Sequence, residues 1–233
     1  MKKEEFVINQ AKGTLLVYEG ISGSGKSGGI HKLERYMSTS GISPIMVEWN
    51  SNPLIRKITQ QLHKFGLLTS VIYSLLQWLS FFIDYWKVIS PALDEGQIVI
   101  ADRYVYTALT RDSVNGAGTM MGRMFGRFVR QPDLVLFYDT PPAVCLERIQ
   151  SRGKVLFHTN KKLQNQDMKY LEQTRDAYVR LFKGLQERGD TNIIFVDQHE
   201  SFEHLSHKVD GYMHQKTGLN KESTLRESLS QWR

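Results

Sequence analysis

Gly20-Ile21-Ser22-Gly23-Ser24-Gly25-Lys26-Ser27 satisfies the pattern G-x-x-x-x-G-K-[ST] at every fixed position. Glycines in such a run let backbone N–H groups turn inward around phosphate oxygens. Lys26 is placed to reach the β- and γ-phosphates of a nucleotide, and the Ser27 hydroxyl to hold Mg²⁺. Gly20, Ser22, Gly23, Ser24, Gly25, Lys26 and Ser27 are therefore the expected contacts of a bound triphosphate. A helix opening near Lys26 adds its N-terminal partial positive charge to the same anion site. Asp102-Arg103-Tyr104 is a second cluster with chemical content. Asp102 is placed to share the Mg²⁺ shell with Ser27, and Arg103 to lie over the gap between donor and acceptor, where transition-state charge gathers.

These groups need a scaffold that brings them to one edge. Thr14 to Tyr18 is a short apolar run that ends in Glu19-Gly20. Ile45 to Val47, Ile98 to Ala101, Leu134 to Tyr138 and Ile193 to Val196 are four more. The segments between them, such as 26–36 and 75–93, read as helices. Apolar strands alternating with helices predict an α/β fold, a five-stranded parallel sheet with helices on both faces. Glu19, Glu48, Asp102 and Asp197 each stand at the end of a run, the edge where such sheets bind ligands. Some of them are expected to be plain turn residues.

At 233 residues the chain makes one or two domains, and 41% hydrophobic residues are enough for a full core, which excludes intrinsic disorder. The longest apolar run, 75–83, stops at Asp84 and is too short to cross a membrane. No apolar stretch follows Met1-Lys2-Lys3-Glu4-Glu5, so no secretory signal is read there. Cys145 is alone, which excludes a disulfide framework and a zinc site built on several cysteines, and a cytoplasmic protein is expected. The net charge of +6 suits nucleic acid, an anionic membrane or a polyphosphate equally. No basic-aromatic interleaving supports a nucleic-acid partner, and no membrane partner is expected. No repeat or linker divides the chain. A single domain over 1–215 is expected, followed by a polar tail, 216–233.

The stretch Val88-Ile89-Ser90-Pro91-Ala92-Leu93-Asp94-Glu95-Gly96-Gln97, the strand after it and Asp102-Arg103-Tyr104 together resemble the thymidylate kinase pattern. So do Pro132 to Asp139 with Pro141-Pro142, the arginine-bearing segment Leu146 to Gly153, and Tyr170 to Tyr178 with Arg175. The resemblance runs from about Gly13 to Gly211. It implies a P-loop nucleoside monophosphate kinase that transfers the γ-phosphoryl of ATP, with Mg²⁺, to an acceptor phosphate, most simply thymidylate or a related deoxynucleotide. Lys26, Asp102, Arg103, Arg148 and Arg152 are then the expected catalytic residues. A lid over about 153–167 would close over the phosphates and exclude water. The phosphate loop carries no arginine, so the lid side would supply one. A homodimer is implied as well, with 75–86 as its candidate face.

On the acceptor side the chain departs from the family. Ser22 stands where an acidic residue is usual, and Glu48-Trp49-Asn50-Ser51-Asn52-Pro53 where Arg-Glu-Pro-Gly is usual. Phe81 falls at the position of the arginine that reads the base, Gln77 at that of the stacking aromatic, and Arg111 at that of a tyrosine beside the sugar. With Arg56, Arg103 and Thr107, the candidate acceptor contacts are Glu48, Arg56, Gln77, Phe81, Arg103, Thr107 and Arg111. Base and sugar stay open. Two other readings stand beside this one. Glu48 resembles the base with which deoxynucleoside kinases deprotonate a 5′-hydroxyl, and an amide such as Gln77 suits base reading there. A non-catalytic nucleotide-binding regulator is the third.

Several further residues have ordinary structural readings. His199, His204 and His207 lack metal-ligand spacing and read as solvated. Trp78, Phe81, Phe82 and Trp86 recur at helical spacing and read as core. Arg123, Arg127 and Arg130 read as a solvated face.

Overall fold

All six residues of β1 (Thr14–Glu19) are buried, a pattern that only a central strand covered on both faces sustains. The computed structural model describes residues 13–217. In it β1 lies at the middle of a five-stranded parallel sheet of order β2-β3-β1-β4-β5, with β2 at Ile45–Glu48, β3 at Ile98–Asp102, β4 at Leu134–Tyr138 and β5 at Ile193–Val196. The chain crosses from one side of β1 to the other between β3 and β4. That leaves a crevice at the carboxyl end of β1, where parallel sheets bind ligands. The phosphate-loop sequence occupies that position.

Nine helices surround the sheet among the described residues: α1 (Lys26–Thr39), α2 (Pro53–Lys64), α3 (Ser70–Asp84), α4 (Ser90–Asp94), α5 (Val105–Asn115), α6 (Met120–Phe125), α7 (Pro142–Ser151), α8 (Asp167–Arg188) and α9 (Phe202–Thr217). Alternate residues of β1 feed two cores. Leu15 and Val17 pack with Ile89, Leu93, Tyr178 and Phe182, whereas Leu16 and Tyr18 pack with Ile30 and Leu33 of α1 and Leu205 and Val209 of α9. Each such side chain, fully buried, contributes about 1.5–3 kcal/mol. At the sheet edge β2 alternates instead, with Ile45 and Val47 on the core and Met46 and Glu48 exposed.

The segment expected to be one helix over 75–93 starts earlier and is not uniform. Thr69 caps α3 by accepting a hydrogen bond from the Ile72 N–H at 3.2 Å. A π-helical turn, Tyr85–Ile89, then joins α3 to α4. Pro91 gives a physical reason, because it lacks an N–H and its ring crowds the carbonyl four residues back. The wider turn shifts the helix face. Trp78 and Phe81 are buried and Phe82 packs against the core as expected, but Trp86 is 59% exposed, so the core reading fails there.

A second correction concerns Arg130. Its guanidinium donates to the Gly13 carbonyl at 2.7 Å and to Asp133 Oδ2 at 3.2 Å, fastening the approach to β4 onto the start of β1. Arg123 and Arg127 are exposed. His199 and His207 are exposed too, whereas His204 pairs with Glu200 at 3.1 Å. No helix among the described residues is long and apolar enough to cross a membrane. Of the expected tail, residues 218–233 lie outside those described.

Candidate active site

The phosphate loop joins β1 to α1. Gly20, Gly23 and Gly25 all have positive φ, at 146°, 83° and 98°. At Gly23 a Cβ would also lie 2.5 Å from the Cys145 carbonyl oxygen, so any side chain there would push the loop off its support. From below, Thr140 Oγ1 donates to the Ser24 carbonyl at 2.8 Å, and from α7 Arg148 Nη1 donates to the Gly23 carbonyl at 3.3 Å. Gly25 is the N-cap of α1 and offers no side-chain cap, which leaves the first-turn amides for an anion. Ser22 is half-buried and Ser27 exposed at the start of α1. Beside the loop lies a cleft of about 180 Å³ lined by Ser24, Gly28, Lys32, Arg148, Asp197 and Gln198 among others. Cys145 is completely buried under the loop, and burial pushes its thiol up to about 11.

Lys26 is 6% exposed, and its ammonium reaches back to the Ile21 carbonyl at 3.4 Å. Burial and then the Arg103 cation lower its pKa to about 7, against the pull of Asp102 and Glu19. A lysine held this way gains most from a polyphosphate, which restores the charge that burial opposes. Asp102 Oδ1 and Ser24 Oγ are buried, and neither has a hydrogen-bond partner among the described residues. A buried carboxylate oxygen left without a donor suits a hydrated Mg²⁺ at the phosphates, with Ser27 as the second protein oxygen. No cluster of three or more His, Cys, Asp or Glu that could hold a metal occurs among the described residues.

Arg103 lies between this site and a second one. Its φ is +77°, a left-handed conformation that costs a non-glycine residue about 1–2 kcal/mol. The turn is bound on both sides, since the Arg103 N–H donates to the Tyr18 carbonyl at 2.9 Å and the Tyr104 N–H to Glu19 Oε1 at 2.8 Å. Arg103 Nη1 then donates to Thr107 Oγ1 at 3.4 Å and to the Tyr178 hydroxyl at 3.3 Å. Both hydroxyls donate onward to Glu19 Oε2 at 2.8 Å. Glu19 is fully buried, and burial raises its pKa even though Arg103, Thr107, the Tyr104 N–H and Tyr178 all favour the carboxylate.

Thr107 also lines the second site, a small pocket with Trp49, Tyr73, Gln77, Ala108, Arg111 and Asp112. At about 10 Å³ it has room for one water. Gln77 is 4% exposed, and neither atom of its amide has a partner among the described residues. Arg111 Nη2 donates to the Tyr73 hydroxyl at 3.3 Å. Asp112 accepts from Ser74 Oγ, and burial raises its pKa to about 6 against that bond and the Arg111 charge. The segment expected to form a lid touches one wall of this pocket, Tyr73. After α7 the chain runs without regular structure to a 3₁₀ turn at Lys161–Leu163, and Phe157 packs on His63 and Tyr73 with ring centroids 5.1 and 5.3 Å away.

The structure thus brings Lys26, Asp102, Arg103 and Arg148 to one edge and Gln77, Thr107 and Arg111 to the adjoining pocket. Four of the expected site residues sit elsewhere. Phe81 is 3% exposed and stacks on Trp49 at 4.9 Å inside the core, off the pocket lining. Glu48 and Arg56 form an exposed pair at 3.3 Å outside that lining. Arg152 is exposed at the C-cap of α7.

Family-model comparison matches thymidylate kinase over residues 18–209. The chain belongs to the thymidylate kinase family. It is 34% identical over 139 residues to a protein called probable thymidylate kinase 2 from Saccharolobus solfataricus, covering 60% of this chain and 65% of that one. Over 214 residues it is 27% identical to a thymidylate kinase from Vibrio vulnificus (87% and 94% covered) and 28% identical to a probable thymidylate kinase from Thermococcus gammatolerans (88% and 97%). In this thymidylate kinase family member the motif forms the loop between β1 and α1, with Lys26 buried behind it. Two residues of the site were given no role from the sequence. Glu19 showed only as one of several acids ending strands, and Tyr178 only as the end of the family-like segment Tyr170 to Tyr178, because its partner is 159 positions away.

Proposed function

We propose that the protein catalyses transfer of the γ-phosphoryl group of ATP to thymidylate, giving dTDP and ADP. One observation carries the reading: Arg103 faces Lys26 on one side and Thr107 of the second pocket on the other. An arginine between two such sites fits the place where negative charge spreads in phosphoryl transfer.

In this reading the loop amides and Lys26 hold the β- and γ-phosphates, and Arg148 stands at the same loop. Ser27 and Asp102 would hold Mg²⁺, which would offset the charge that develops on the phosphates. A phosphate oxygen of the acceptor attacks the γ-phosphorus as the bond to the β–γ bridging oxygen breaks, and that electron pair leaves on ADP. The acceptor is already ionised, so no general base is required. The exposed Glu48, tied to Arg56, is consistent with that and a poor match for a base on a 5′-hydroxyl. Gln77, Thr107 and Arg111 receive the base and sugar once the strap carrying Phe157 lifts from Tyr73.

The lone cysteine and the reaction suit the cytoplasm. Val71, Leu75 and Leu79 form an outward apolar row on α3, and with Trp86 at 59% exposure they support a homodimer through that face. Light scattering on purified protein reads that state directly. The reaction is tested by a phosphotransfer panel with ATP against thymidine, thymidylate and the other nucleosides and monophosphates. Product from nucleosides alone would overturn the reading, and no product from any acceptor would leave a nucleotide-binding regulator.

A further inference from the structure

We infer that Glu19 and Tyr178 are positioning residues for Arg103, coupling the helix that follows the lid to the centre of phosphoryl transfer. The inference rests on the reaction proposed above. Its basis is a set of hydrogen bonds that converges on the Glu19 carboxylate, with the Thr107 and Tyr178 hydroxyls also 2.8 Å from each other. The Thr107 and Tyr178 hydroxyls both donate to Glu19 Oε2. Their lone pairs are thereby turned toward Arg103 Nη1 and accept from it. Glu19 Oε1 accepts the Tyr104 N–H and fixes the left-handed turn that carries Arg103. One carboxylate thus holds both the turn that carries Arg103, through the Tyr104 N–H, and its guanidinium, through the two hydroxyls. Four elements meet there: β1 through Glu19, the turn after β3 through Arg103 and Tyr104, α5 through Thr107, and α8 through Tyr178.

Tyr178 gives the arrangement a link to the lid. It lies on α8, whose first turn follows the 3₁₀ turn at Lys161–Leu163, and its ring is fully buried against Phe137 and Phe182. A shift of α8 when the lid moves is therefore transmitted to the oxygen that holds Arg103. The charged and titratable groups facing Glu19 are Arg103, Lys26 of α1, Tyr106 of α5 and Tyr178 of α8. Protonation of Glu19 turns an acceptor into a donor, breaks one of the two hydroxyl bonds and releases Arg103. Because burial raises the Glu19 pKa, activity is lost on the acid side at a higher pH than an ordinary carboxylate would give.

Tyr178→Phe deletes only the hydroxyl and keeps the buried ring, so it folds. Its turnover is expected to fall at least about tenfold with KM for ATP and thymidylate nearly unchanged, as for a displaced catalytic group. In an Arg103→Ala background the same substitution is expected to cost less than about twofold, because nothing remains to be positioned. Glu19→Gln is expected to flatten the acid limb of the turnover profile, measured against wild type at matched pH so that substrate titration cancels. The ¹⁵N-detected Nε–H signal of Arg103, read without substrate, is expected to broaden or shift in Tyr178→Phe. Equal losses from Tyr178→Phe with and without Arg103, a rise in KM alone, or an unmoved Arg103 signal would overturn the inference. A wild-type protein inactive on every monophosphate overturns the reaction instead, and the Arg103 signal still decides the positioning.

Discussion

Arg175 grips Asp139 with two parallel hydrogen bonds, Nε to Oδ1 at 2.6 Å and Nη2 to Oδ2 at 3.0 Å. The fork ties the middle of α8 to the residue that ends β4, so this arginine is committed to the scaffold. An ammonium cannot reproduce the fork. Both side chains are partly exposed, at 33% and 25%, so the pair is screened and contributes about 1 kcal/mol. Arg175→Lys should lower the melting midpoint by about 2–4 °C. A melt superimposable on wild type would show that the fork contributes nothing.

Lys26 makes nucleotide affinity depend on pH. With a pKa near 7 in the free protein it is half neutral at pH 7, and a polyphosphate beside it favours the protonated form. Binding should take up protons around and above pH 7, and ATP affinity should weaken by up to about tenfold per pH unit above that point. Calorimetry in buffers of different ionisation heat measures the proton count. Release of protons, or no exchange, contradicts the assignment.

Arg103→Ala should lower kcat at least about a hundredfold while ATP affinity hardly changes, since the lost contact belongs to the transition state. Steady-state kinetics with a separate nucleotide-binding titration separates the two. Equal turnover would remove Arg103 from the mechanism.

Gln77→Met should raise stability and lower acceptor recognition together. A buried amide with both atoms unpartnered carries a desolvation penalty of about 1–3 kcal/mol, which a thioether of similar shape does not. The melting midpoint should rise while KM for the monophosphate increases about tenfold or more, with KM for ATP unchanged. A lower midpoint, or unaltered acceptor KM, would mean that the amide serves the fold.

How far the sequence reaches differs across the molecule for physical reasons. Gripping a phosphate chain constrains eight consecutive residues, so Gly20 to Ser27 announce the donor site locally. The five apolar runs likewise match the five strands, because central strands covered on both faces must be apolar throughout, and edge strand β2 showed as the short run Ile45 to Val47. The second pocket joins Trp49, Gln77 and Thr107 from three separate parts of the chain, and no local spacing records that meeting. Phe81 illustrates the limit. The family position assigns it to the pocket, whereas its helical spacing with Trp78 reads as core, and packing against Trp49 and Tyr104 puts it there. Glu19 reads as one strand-ending acid among four until α8 brings Tyr178 to it.

Cys145 sits sealed beneath Gly23 with its thiol pushed up to about 11. Thiolate is the species that alkylating agents and peroxides attack, and at neutral pH only about one part in ten thousand is present here. The phosphate grip is therefore built over a sulfur that ordinary oxidants cannot reach. Catalysis should need no added reductant, and loss of activity to a maleimide would report that the loop had lifted.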